Sequence, residues 1–163
     1  MRGPSLLTSL LAAPALLAAL AGPASALSCM APDPATSYTR AAEAAERYVV
    51  IEGRLSYDPA SMPPVTSPSE APLERHTTGR IEGKALSSGG FDIPFATEVE
   101  MDFTCHGPWC TGNVPQGDAV MFLEQTEAGY RLELTPCGGW HFAEPTSAQL
   151  SALRRCHRGQ RCG

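Results

Sequence analysis

The clearest hydrophobic–polar pattern in the chain runs from Phe95 to Phe103. Phe95, Thr97, Val99, Met101 and Phe103 fall on one side, with Glu98, Glu100 and Asp102 on the other. Strict alternation of this kind predicts a half-buried strand with its carboxylates in water. Tyr48-Val49-Val50-Ile51-Glu52-Gly53-Arg54-Leu55 is rich in β-branched and aromatic residues and predicts an earlier strand, and Arg80 to Leu86 alternates weakly as a second one. Ala119 to Leu123 is a short apolar run suited to a buried strand. Ala128-Gly129 then turns the chain into Tyr130, Leu132 and Leu134, so the two runs read as a hairpin.

Two segments have helical character. Ser37 to Arg47 is Ala- and Glu-rich, with Ser37 or Thr36 as the expected cap, and Pro145-Thr146-Ser147 opens a second helix reaching Arg155. Residues Asp58 to Thr78 hold five prolines among Ser and Thr, and predict a long loop over 58–78. No internal repeat is apparent. Five strands with one helix near each end point to an all-β fold, a five-stranded OB-fold-like barrel.

The first 26 residues read differently. Arg2, an apolar run from Leu6 to Ala21, and Ala24-Ser25-Ala26 form the three-part pattern of an export signal, with cleavage expected after Ala26. The run is too short to predict a membrane span. Residues 27–163 then form a single domain of 137 residues, with 11 basic and 17 acidic side chains once Arg2 is lost. That mild acidity argues against a nucleic-acid or anionic-lipid binder. A competing reading takes Ala26-Leu27-Ser28-Cys29 as a lipobox with Cys29 lipidated. Such boxes place Leu three residues before the cysteine, whereas Leu27 is two before it, and lipidation leaves an odd number of thiols.

All six cysteines, Cys29, Cys105, Cys110, Cys137, Cys156 and Cys162, follow the expected cut. In a secreted or periplasmic chain an even count reads as a disulfide framework. Six cysteines allow 15 pairings. Cys105–Cys110 is the favoured short one, closing a Gly-Pro turn. The Cys-His pairs Cys105-His106 and Cys156-His157 raise zinc as an alternative, but their spacing does not match structural zinc sites and their order does not fit c-type haem. No cofactor is expected.

Catalytic motifs are missing: there is no Gly-x-Ser-x-Gly elbow, no His-Glu-x-x-His helix and no phosphate-cradling glycine loop. His141, beside Trp140 and near Glu144, reads as a structural loop histidine. Glu98, Glu100 and Asp102 read as a solvated face, with a hard-cation site as the alternative. Arg154, Arg155, Arg158 and Arg161 form a basic run. It suits the C-terminal end of the last helix, or contact with an acidic partner or envelope surface.

The order of Cys29, a short helix, Val49 to Leu55, the Thr97-to-Phe103 strand, a Cys-Gly loop, Phe122-Leu123 and Leu132-Glu133-Leu134-Thr135-Pro136-Cys137 resembles the netrin/TIMP-like superfamily. These are disulfide-braced OB-fold modules that include tissue inhibitors of metalloproteinases and bacterial exported relatives. The resemblance implies a Cys29–Cys137 disulfide, tying an early cysteine to the last barrel strand, which leaves Cys156–Cys162 as the third. The rival arrangement ties Cys137 or Cys110 to the C-terminal region. In the inhibitors the mature chain begins at a cysteine whose amine and carbonyl bind the protease zinc, and a second cysteine follows two residues later. Here Met30 and Ala31 follow Cys29, and the expected cut leaves Leu27-Ser28 in front of it. The expected function is therefore an exported binding or interaction module, not an enzyme, with a protein or envelope partner. A TIMP-like metalloprotease inhibitor and a zinc-binding protein or enzyme using the Cys-His pairs are the alternatives.

Overall fold

The chain enters the barrel through a helix that starts earlier than its alanines suggest. In the computed structural model, which describes residues 28–62 and 74–162, helix α1 spans Pro34–Glu43. Asp33 is its N-cap: the carboxylate accepts the Thr36 N–H at 2.9 Å, and Pro34 occupies the first helical position. Asp-Pro in the lead-in thus marks a helix start, because proline lacks only an N–H that has no helical partner there. The helix also stops before Ala44-Ala45-Glu46, despite their helical propensity, because strand pairing begins at Arg47 opposite Gln125. Tertiary pairing overrides local preference. The expected signal peptide, 1–26, lies outside the described residues.

Strand β1 covers Arg47–Tyr57, followed by a 3-10 turn at Pro59–Ser61. Strands β2, Glu74–Ser87, and β3, Gly90–His106, form a long antiparallel hairpin. Strand β2 starts six residues before Arg80, so the last five residues of the expected 58–78 loop are strand instead. They are held by pairing from Glu74 opposite Thr104 onward. The middle of that loop, 63–73, lies outside the described residues. A short strand β4, Trp109–Cys110, folds back on β3. Strand β5, Gly117–Thr126, and β6, Gly129–Leu134, form the expected hairpin. Strand β7, His141–Ala143, pairs with β5, and helix α2 spans Ser147–His157. Thr146 caps α2 in a reciprocal capping box with Gln149.

Pairing of β1 with β2, β2 with β3, β3 with β6, β6 with β5 and β5 with β1 closes a five-stranded barrel. The β3–β6 junction is its one parallel pair. Ile51, Leu55, Ile81, Val99, Met101, Phe103, Met121, Leu123 and Leu132 are fully buried and belong to one core. Strand β5 is buried on both faces from Ala119 to Leu123, because Phe122 lies against Trp140 and Phe142 at ring separations of 5.8 and 6.1 Å. Gly53 and Gly83 face each other across β1 and β2, and a Cβ on Gly83 would stand 2.2 Å from the Glu52 carbonyl oxygen. Only glycine permits this close approach of the two backbones.

Candidate functional site

Three disulfides join Cys29 to Cys137, Cys105 to Cys110 and Cys156 to Cys162, and no cysteine is free among the described residues. The first two meet at one rim of the barrel. Cys105 and Cys110 pair across β3 and β4, with His106 opposite Trp109 and Gly107 at φ 57° making the turn. The chain after β4 is anchored by the Thr111 hydroxyl, which donates to the Leu134 carbonyl at 2.8 Å, and by Arg75, whose Nη2 donates to the Thr111 carbonyl. Leu134 ends β6, three residues before Cys137, so the N-terminal segment and this hairpin flank the same strand end. Between them lies a shallow groove of about 560 Å³ lined by Cys29, Pro108, Trp109, Val114, Pro115 and Pro136. Met30, next to Cys29, is 91% exposed. The Cys-His pairs offer no thiolate, because Cys105, Cys110, Cys156 and Cys162 are all oxidised.

The basic run divides. Arg154 turns onto the barrel, with its guanidinium 5.5 Å from the Phe91 ring centroid and 3.9 Å from the Glu52 carboxylate. Its stem packs on the sheet while the side chain stays 36% exposed. Arg155, Arg158 and Arg161 are exposed. Arg158 is the C-cap of α2, where positive charge suits the helix dipole.

A row of polar side chains crosses the outer face of the barrel from β2 to β1. His76 Nδ1 lies 2.7 Å from Asp102 Oδ1 and 3.8 Å from Glu100 Oε1. Asp102 Oδ2 lies 3.7 Å from Arg131, which donates to Glu124 at 2.5 and 3.2 Å. The Glu124 hydrogen bond chiefly raises the Arg131 pKa. Tyr48 stands opposite Glu124 and stacks on Trp140 at 4.9 Å, and Arg40 of α1 lies 4.7 Å from the Trp140 ring centroid. A groove of about 540 Å³ runs beside this row. The face is not the solvated carboxylate row that alternation predicts. Glu98 and Glu100 are exposed, but Asp102 is buried, because closure of β3 against β6 and the registry with β2 place Arg131 and His76 on either side of it. His76 carries no local sequence signal, since its neighbours read as loop.

His141 lies on β7 opposite Met121, with its Nε2 buried and without a hydrogen-bond partner among the described residues. Burial lowers its pKa below the ordinary value of 6.5. The unfolded chain therefore binds the proton more readily, and stability present above pH 6.5 falls as the pH drops through that value. A His141→Phe variant is expected to lose that segment of the acid dependence. Melting temperatures from pH 5 to 8 check it, and an unchanged profile would assign the dependence elsewhere.

These features define an OB-fold-like, closed five-stranded β-barrel with a disulfide-braced rim and a polar outer face. No family model matches the chain, and comparison with curated proteins and with solved structures finds no match. Among the described residues no helix is long and apolar enough to cross a membrane.

Proposed function

We propose that the chain is a secreted or periplasmic binding module of netrin/TIMP-like type, which engages a protein or envelope partner through its disulfide-braced rim and is not an enzyme. The observation that supports this most is the convergence of Cys29–Cys137 and Cys105–Cys110 on one strand end, beside the exposed Met30 and the Trp109 groove. Cross-links that hold recognition loops in place lower the ordering cost of binding, and Met and Trp are enriched where proteins meet. Three disulfides also suit an oxidising compartment.

The test places a photo-crosslinking residue at Met30, at Trp109 and, as a control, at exposed Ile93. The expected result is one adduct from envelope or secreted fractions at the two rim positions, competed by excess unlabelled protein and absent at Ile93. Equal labelling at all three positions, or none at the rim, overturns the rim assignment. Metalloprotease inhibition is the second reading, favoured by the place of Cys29 on this rim. It requires a mature chain that starts at Cys29 with a free amine. N-terminal sequencing of the exported protein, followed by protease assays with chains starting at Leu27 and at Cys29, decides it; no inhibition by either chain removes the reading.

A further inference from the structure

We infer that His76, Glu100 and Asp102 form a zinc site on the outer face of the β2–β3 hairpin. It is independent of the rim and of the partner proposed above. Among the described residues these three side chains make one group in which an imidazole nitrogen and two carboxylate oxygens all lie within 4.8 Å of one another. The hairpin register produces the group. His76 pairs directly with Asp102, and Thr78 with Glu100, so Glu100 and Asp102 stand two residues apart on the face that His76 shares.

The geometry suits a small transition-metal ion. Zinc holds nitrogen and carboxylate oxygen at about 2.0–2.2 Å, which sets tetrahedral ligand atoms roughly 3.4 Å apart. The separations here are 2.7 Å from His76 to Asp102 and 3.8 Å from His76 to Glu100, on either side of that value. A bound ion would require side-chain rotations that bring both separations to that value. The Nδ1 atom facing Asp102 then presents its lone pair, and the proton resides on Nε2.

Charge favours a cation as well. Glu124 takes both of the close Arg131 hydrogen bonds, leaving Arg131 at 3.7 Å from Asp102, and Glu133 stands opposite Asp102 on β6. Three carboxylates, Glu124, Asp102 and Glu133, thus act on one guanidinium. The mixed nitrogen and oxygen set selects against calcium and magnesium, which take oxygen ligands. Asp102 is nearly buried and fixes the position of the ion, whereas His76 and Glu100 are half exposed.

The experiment uses the full exported protein, disulfides intact, freed of metal with a chelator and titrated calorimetrically with zinc. Cobalt absorption provides a second reading of coordination. One zinc per chain is expected. His76→Ala and Glu100→Gln, both at exposed positions, are each expected to weaken binding at least about tenfold. His106→Ala and His157→Ala are expected to bind as the parent does. Calcium is expected to give no heat. Absence of zinc binding in the parent overturns the inference, as does zinc binding that survives His76→Ala and Glu100→Gln or is lost with His106→Ala.

Discussion

A Cys29→Ala, Cys137→Ala double variant is expected to lose roughly 4–5 kcal/mol of folding stability, about twice the loss from removing either short disulfide. The reason is the length of chain each bond closes. Cys29–Cys137 spans 108 residues, whereas Cys105–Cys110 spans 5 and Cys156–Cys162 spans 6. In the chain-entropy account, a cross-link restricts the unfolded ensemble more as the loop it closes grows, which gives about 4.8 kcal/mol for the long loop and about 2 kcal/mol for the short ones. The long bond also fixes the segment leading into α1 to the end of β6, so its loss frees the rim from one side. Denaturant midpoints of the three paired-cysteine variants measure the difference. Equal losses from all three would place the stabilisation in native contacts around the sulfurs and not in chain restriction.

Phe122→Ala is expected to cost about 3–5 kcal/mol, in the range for truncating a buried aromatic and leaving a cavity. Phe122 is 1% exposed, and its ring sits against Trp140 and Phe142. Its backbone N–H also donates to the Trp140 carbonyl at 2.9 Å. The cavity would therefore open where β5, β7 and the Trp140 segment join. The same truncation at Ile93, which is 53% exposed, is expected to stay within about 0.5 kcal/mol. Urea denaturation of both variants checks the contrast. A small loss at Phe122 would mean that Trp140 and Phe142 collapse into the space.

Much of this architecture is legible in local pattern. The alternation from Phe95 to Phe103 places Val99, Met101 and Phe103 in the core, and the unbroken apolar run Ala119 to Leu123 is buried throughout. The Ala128-Gly129 turn and the Thr146 cap lie where their chemistry indicates. The helix start was legible too, but in Asp33-Pro34 and not in the alanines that follow. The Thr-rich end of the 58–78 stretch was misleading, since prolines dominate its composition while Thr77 and Thr78 pair with Met101 and Glu100.

What the sequence by itself determined is the five barrel strands and two helices in outline, the core-facing side of the Phe95–Phe103 strand, and an even set of six cysteines. These follow from near neighbours, because side-chain direction repeats every two residues in a strand and every 3.6 in a helix. The tertiary structure alone decided what lies against the other face. Parallel closure of β3 on β6 puts Arg131 beside Asp102, and the β2 register puts His76 on its other side, turning a carboxylate that reads as solvated into a buried one. Packing of α2 against the β1–β3 side of the barrel sets Arg154 against Phe91 and Glu52. Alternation states which side of a strand a residue occupies, but its partners on that side come from strands dozens of residues away, and their register is fixed only when the barrel closes.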